Sequence, residues 1–366
     1  MKILQFNSAF GGGGVDSATF DLCVALAEQG EQVFVAGGAG RPLTEKSRGI
    51  AGITTLEVPY RDPYASVLRL AKLIREHDIQ IVHAHQGEDY WAAILAALLS
   101  GRFPKVVISR HLMTRPSGMS RALLLRCAHV VAVSRAVHSV LAANLQGPHA
   151  RLHMIHTGID TERFHPQRDA DSEALRAQWG WDANTVGFGL VGRFVSVGTK
   201  GNLDFVKAAA KVHAEIRQAR FVLVGELMPL EQSQMAALIR EKGLSEVIKV
   251  LPFRTDVLPV LNALDVLVHP PAGNEALGLV LVEALACEKP VIATRLDGIP
   301  ETFVDGEHGL LVPPANPDAL AAAMKTLALD ANLRKRLGKS GRAHVLRQFT
   351  REHYAGRMRA LYTEIV

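Results

Sequence analysis

Two glutamates, Glu275 and Glu283, stand eight residues apart in the stretch "GNEALGLVLVEALA" (273–286), which is otherwise built to be buried. Carboxylates in such surroundings are costly unless something satisfies them. His269-Pro270-Pro271 closes a strand-like run just before, and Gly278 precedes an apolar run that reads as a helix over 278–287. Glu275 then falls in the loop above the helix and Glu283 within it. The N–H groups at Gly278, Leu279 and Val280 would be open donors at a helix amino terminus, suited to a phosphate. Glu283 could accept both hydroxyls of a ribose, and Glu275 could face a sugar beyond it.

Other segments carry compatible chemistry. "VGRFVSVGTKGNLDF" (191–205) places Arg193 at a strand end and Lys200-Gly201 just before a helix. Two cations at such a turn form a diphosphate clamp. "FGGGGVDSATF" (10–20) follows the first strand and opens the first helix, so Gly13 and Gly14 let the backbone approach a phosphate or a sugar. It lacks the G-x-G-x-x-G spacing, no acid follows near Ala36, and no G-K-[ST] appears, which weakens dinucleotide and Walker-type readings. "VVISRHLMTR" (106–115) ends a strand at Arg110-His111, where His111 can hydrogen-bond a substrate. In "HAHQGED" (83–89), His83 and His85 share one strand face; no third metal ligand is evident, and a structural role is expected. "DAD" (169–171) resembles a metal motif of some sugar transferases, but its position before a helix reads as a cap.

Alternating apolar runs position these residues. Strands are expected at 2–7, 32–36, 79–84, 105–110, 129–133 and 152–155, then at 186–191, 220–224, 247–250, 265–268 and 290–293. Helices are expected at Asp16–Gln29, Tyr64–His77, Tyr90–Leu99 and Arg135–Leu145, then at 203–217, 230–242 and 278–287, with a mostly helical tail after Pro313-Pro314. The polar stretch from Phe164 to Trp179 reads as a linker and a first helix. The fold class expected is α/β, with two Rossmann-like domains, 1–165 and 166–349, facing a cleft.

Composition narrows the partners. The chain has 366 residues, 48% hydrophobic and 21% charged, and three scattered cysteines, which point to a reducing compartment. No signal peptide is read at the start, and the apolar run from Tyr90 to Ser100 is too short to span a bilayer. A cytoplasmic protein that can sit on a membrane surface is expected. From Tyr90 to Ile159 there is no Asp or Glu, against eight Lys and Arg and six His. Such a field attracts an anionic acceptor or an acidic lipid surface. Nothing resembles a nucleic-acid motif, and no nucleic-acid partner is expected.

Taken together, the motifs resemble the retaining GT-B glycosyltransferases of the large fourth family. The resemblance rests on E-x7-E at Glu275 and Glu283, on "DGIPE" (297–301), "DGEHGLLVPP" (305–314) and "HTGID" (156–160), and on a G-G-x-E-like turn at Gly13-Gly14-Val15-Asp16. It implies that Arg193 and Lys200 neutralise the donor diphosphate, with Gly14 and the amides of Leu279 and Val280 also on phosphate. Glu283 would bind the ribose, and backbone around Phe253 and Arg254 the base. Glu275 and His111 would act at the donor sugar, with Gly13, Asp16 and Gly278 in the sugar-contacting loops. It also implies no metal and no cofactor beyond a nucleotide-sugar co-substrate, UDP-hexose or UDP-N-acetylhexosamine first and GDP-mannose second. The expected acceptor is an anionic glycan or glycolipid of the cell envelope, such as a lipopolysaccharide core, at the cytoplasmic face of the inner membrane. A C-terminal helix, 350–366, would rejoin the first domain. Asp16 replaces the commoner glutamate, and Arg193 and Lys200 stand seven residues apart where five is usual, which calls for an extra bend in "SVGT". The competing readings are a nucleotide-sugar epimerase, a dinucleotide-dependent oxidoreductase and a nonenzymatic sugar- or lipid-binding protein.

Overall fold

The structure, a computed structural model, describes residues 1–8, 13–59, 62–167, 169–194 and 200–366. The expected phosphate contact of residues 10–12 and the extra bend in 196–199 lie outside the described residues. The chain forms two compact units, Met1–Asp160 with Phe349–Val366, and Thr161–Gln348.

The first unit runs β1 (Lys2–Phe6), α1 (Gly14–Glu28), β2 (Gln32–Gly37), α2 (Pro42–Ser47), β3 (Ile53–Glu57), α3 (Pro63–His77), β4 (Ile81–Ala84), α4 (Asp89–Leu99), β5 (Lys105–Arg110), α5 (Gly118–Cys127), β6 (His129–Ala132), α6 (Arg135–Asn144) and β7 (Leu152–Met154). Its sheet has the order β3-β2-β1-β4-β5-β6-β7, and every pair is parallel. Right-handed crossovers send α1 and α2 to one face and α3 to α6 to the other.

The second unit runs α7 (Ala170–Gln178), β8 (Val186–Val191), α8 (Asn202–Glu215), β9 (Ala219–Val224), α9 (Pro229–Glu241), β10 (Ile248–Leu251), α10 (Leu258–Ala263), β11 (Val266–His269), α11 (Leu279–Ala286), β12 (Val291–Thr294), β13 (Gly309–Val312), α12 (Pro317–Leu329) and α13 (Ala331–Gln348). Its parallel sheet has the order β10-β9-β8-β11-β12-β13. β8, β11 and β12 are buried along their whole length, because helices cover both faces of a parallel sheet. The two-domain, parallel-sheet α/β class is the one expected.

α14 (Arg351–Ile365) returns to the first unit and packs on α1, burying Tyr354 and Tyr362. The "HTGID" segment receives it. Ile159 N–H donates to the Phe349 carbonyl and the Ile159 carbonyl accepts from Arg351 N–H, both at 2.8 Å, and Arg351 Nη1 donates to Asp160 Oδ2 at 2.9 Å. A Cβ on Gly158 would stand 2.2 Å from the Thr350 carbonyl oxygen, so only glycine permits this approach.

The first unit ends at Asp160 rather than at 165. Residues 161–167 are tied into the second unit, where Asn262 donates to the His165 carbonyl and accepts from the Gln167 N–H, both at 3.3 Å. Asp169 caps α7, accepting from Ser172 N at 2.9 Å, so this carboxylate serves as a cap. Among the described residues no helix is long and apolar enough to cross a membrane.

Candidate active site

In the second unit, the start of α8 and the segment that leaves β11 bring a lysine, a histidine and a carboxylate together. Gly201 caps α8 in the left-handed region, φ +71°, and a Cβ there would lie 1.7 Å from the Pro270 carbonyl oxygen. Lys200 is thereby held against the segment that leaves β11. Its Nζ donates to Glu275 Oε2 at 2.5 Å, and Nε2 of His269, the last residue of β11, reaches the same oxygen at 3.0 Å.

The main chain of Glu275 is fixed as well. Its N–H donates to Asp297 Oδ2 at 3.1 Å, and its carbonyl accepts from Gly298 N at 3.2 Å. Burial opposes ionisation of Glu275, but the hydrogen bonds and charges of His269 and Lys200 outweigh it and hold the carboxyl at about 2. Glu275 is therefore a carboxylate at any physiological pH. Lys200, expected on a diphosphate, is engaged with Glu275 here.

α11 begins immediately beyond. Gly278 takes φ +85° as its cap, and the first turn carries no acidic residue. The amides of Leu279 and Val280 have no acceptor within the helix, and the positive end of the helix has no carboxylate of its own. Glu283 follows one turn after Leu279, half-buried and on the same helical face. Arg193, after β8, lays its guanidinium over the Phe253 ring at 4.9 Å. Phe253 and Arg254 are half-buried and follow β10. The second unit thus groups Lys200, His269 and Glu275, and separately Arg193 with Phe253.

In the first unit, Gly13 caps α1 in extended conformation, and Asp16 sits in the first turn, accepting from Asn7 Nδ2 at 3.0 Å. This helix end, where the sequence places phosphate near Gly14, already faces a carboxylate. His111 follows β5, its ring 6.0 Å from that of His85. Burial lowers His111 to about 4, so it is neutral, and its Nε2 has no hydrogen-bond partner among the described residues.

His83 and His85 belong to a buried polar column. The Tyr362 hydroxyl accepts from Gln5 Nε2 at 3.3 Å and so donates to His83 Nδ1 at 2.7 Å. His83 Nε2–H then donates to Ser109 Oγ at 2.8 Å. Gln5 Oε1 accepts from His85 Nε2–H at 2.8 Å. The two histidines are spent on structure, and no group of three or more His, Cys, Asp or Glu among the described residues is arranged to hold a metal. His269 and Asp297 are the site residues that sequence reasoning passes over. The signal for His269 is its place at a strand end, and for Asp297 its place in the "DGIPE" turn.

Two family models match the chain: "Glycosyltransferase Family 4" over residues 12–163 and "Glycosyl transferases group 1" over 171–344. The chain is 30% identical over 310 residues to a GDP-mannose-dependent alpha-(1-6)-phosphatidylinositol monomannoside mannosyltransferase of Mycolicibacterium smegmatis, covering 79% of this chain and 77% of that one. It is 32% identical over 223 residues to a D-inositol 3-phosphate glycosyltransferase of Corynebacterium jeikeium, a match of 58% of this chain that spans about half, 52%, of that relative. The crystal structure of Anabaena Alr3699/HepE in complex with UDP and glucose superposes with a TM-score of 0.83 at 22% identity, covering 100% of both chains. The E-x7-E segment, the two parallel-sheet units and these matches place the chain in the group 1, family 4 glycosyltransferases, with the GT-B fold.

Proposed function

We propose that the protein transfers a hexose or N-acetylhexosamine from a nucleotide diphosphate sugar, with a UDP-sugar favoured, to an anionic glycan or glycolipid of the cell envelope, such as a lipopolysaccharide core. Transfer proceeds with retention at the anomeric carbon, without a metal, at the cytoplasmic face of the inner membrane. The observation that carries this reading is the pairing of an ionised, doubly bonded Glu275 with the acid-free start of α11 four residues later.

The residues divide the task. The amides of Leu279 and Val280 and the guanidinium of Arg193 take the phosphates, and Gly278 lets the sugar approach. Glu283 takes the ribose hydroxyls, and the main chain at Phe253 and Arg254 holds the base. When a diphosphate arrives, Lys200 is near enough to share its charge between phosphate and Glu275. In the first unit, neutral His111 hydrogen-bonds the sugar, with Gly13, Gly14 and Asp16 beside it.

The anomeric C–O bond breaks with its electron pair leaving on the diphosphate oxygen, and the acceptor oxygen bonds to the same face of the anomeric carbon. The acceptor proton passes to the departing diphosphate, whose oxygen gains the electron pair. Glu275 stabilises positive charge at the anomeric centre. The acceptor assignment is supported by the acid-free window of residues 90–159. It is also supported by the names of the relatives, which carry inositol 3-phosphate and phosphatidylinositol monomannoside, both phosphorylated.

The test is a thermal-shift titration with UDP, GDP, ADP, CMP and NAD on wild type and Glu283→Ala. Ligand that binds the native state raises the melting temperature by mass action. A shift with one nucleoside diphosphate that the variant loses is the expected result and names the donor class. A shift with NAD alone would overturn the transferase reading.

A further inference from the structure

The helix layer α3–α5 of the first unit shows more apolar side chain to its outer side than its own packing uses. α3 presents Tyr64, 85% exposed, and Leu68, 64% exposed; α4 presents Leu95, Leu98 and Leu99; Phe103 follows, 68% exposed. α3 packs against α4, and Trp91 of α4 donates to Ser120 Oγ of α5 at 3.2 Å, so the three helices form one surface. Met119 of α5 is exposed on it too. The inward side of α4 is already filled, since Ala93, Ile94, Ala96 and Ala97 are buried. A helix apolar on both sides needs a second apolar medium.

The charges say which medium. Exposed Lys105, Arg115, Arg121 and Arg126 border the stripe, and residues 90–159 contain no acid to answer them; on α3 the exposed acid, Glu76, is paired with Lys72 at 3.6 Å. Arg102, on the same border, pairs with Asp78 at 3.2 Å. A second copy docking by the same face would set cations against cations, because a twofold interface presents each patch to itself.

We propose that this surface docks on a bilayer carrying anionic lipid headgroups, the leucine stripe entering the acyl boundary and the arginines meeting the phosphates. Its use, presenting a lipid-linked acceptor, rests on the proposed function; the docking itself does not.

The test is co-flotation of the full chain with vesicles of phosphatidylcholine alone and of phosphatidylcholine mixed with phosphatidylglycerol. Trp91 fluorescence, quenched by brominated acyl chains, serves as a second readout. Trp179 and Trp181 are buried in the second unit, and a Trp91→Phe variant removes the signal. Wild type is expected to float with the anionic vesicles only. Leu95→Gln/Leu98→Gln/Leu99→Gln should partition at least about tenfold more weakly, because three leucines no longer enter the acyl boundary. Arg115→Glu/Arg121→Glu should lose the preference for anionic lipid.

Wild type that ignores both vesicles, or a triple variant that binds like wild type, would overturn the proposal. So would a dimer in sedimentation that the leucine substitutions dissolve, which would assign the face to a second copy. The nucleotide-induced melting shift, read on the same samples, reports folding and donor binding separately. A failure of docking would leave that shift standing, and a failure of the transferase reading would remove it.

Discussion

The ammonium of Lys200 lies 2.5 Å from Oε2 of Glu275, the same oxygen that His269 Nε2 reaches from 3.0 Å. Two donors on one oxygen leave Oε1 without a hydrogen bond among the described residues, and they fix the plane of the carboxylate. Replacing Glu275 by Gln removes the charge, while the amide oxygen can still accept from both donors and the N–H2 group takes the place of Oε1. Turnover is expected to fall about a hundredfold or more, the scale of removing one preorganised electrostatic interaction. Nucleotide binding, followed by thermal shift, should change little, because the proposed diphosphate and ribose contacts are made by other residues. Near-normal turnover in Glu275→Gln would remove this carboxylate from the reacting centre.

His269 contacts the Glu275 carboxylate, and a positioning role for it would have a readout in pH. Glu275 works as a carboxylate, so its contribution is present above its pKa and lost as the pH falls through it. In wild type that point is about 2. His269→Phe deletes one of the two N–H donors and leaves the burial, which pushes the carboxyl upward. The ratio of His269→Phe to wild-type turnover should therefore decline as the pH is lowered from about 7 to about 5, with kcat moving more than KM. His269→Gln keeps a donor and should hold the ratio level. Equal, pH-independent losses in both variants would reduce His269 to a packing role.

Glu283 is testable through the ligand rather than the protein. If its carboxylate accepts from the ribose hydroxyls, wild type should bind a nucleoside diphosphate more tightly than its 2′-deoxy analogue, by about tenfold, the scale of one hydrogen bond to a charged group. Glu283→Ala should bind the two alike. A preference that survives the substitution would move ribose recognition elsewhere.

Legibility followed burial. The strands that are buried along their length, such as β8 and β11, are plain as apolar runs, and the E-x7-E segment stands out because carboxylates are rare in such runs. β3 goes unread because it is a half-exposed edge strand whose two threonines blur its pattern. α5 escapes because its apolar residues crowd into Leu123-Leu124-Leu125 and give no helical period. The bond between Lys200 and Glu275 spans 75 positions, and no local pattern encodes it. His269 is visible, but nothing in "VLVHPP" says that its ring turns toward Glu275.

Gly201 supports the site through the backbone. Its φ is +71°, and a methyl group on its Cα would stand 1.7 Å from the Pro270 carbonyl oxygen. Alanine would therefore both strain the cap of α8 and push it off the β11 turn. The expected cost is at least about 2 kcal/mol, from left-handed strain plus overpacking. Urea denaturation measures it. A Gly201→Ala protein as stable as wild type would mean that the α8 cap and the β11 turn separate easily.

The buried histidines His83, His85 and His111 contribute to the acid sensitivity of the first unit. Burial pushes His83 down to about 3, with His111 adding to the effect, and pushes His111 to about 4; His85 lies well below its ordinary 6.5 for the same reason. In the unfolded chain these rings take up protons near the ordinary value, so the unfolded state binds more protons as the pH falls below about 6.5. Stability is therefore full above that point and declines toward pH 4, on the order of 1 kcal/mol per histidine for each unit of pH. The Glu275 contribution acts lower, between 4.5 and about 2, so it does not confuse the reading. Urea denaturation at several pH values across this window, on wild type and on His83→Gln, checks the assignment. The variant should start less stable at neutral pH, through its altered bonding to Tyr362 and Ser109, but lose less on acidification. A variant with the full wild-type slope would place the acid sensitivity outside this column.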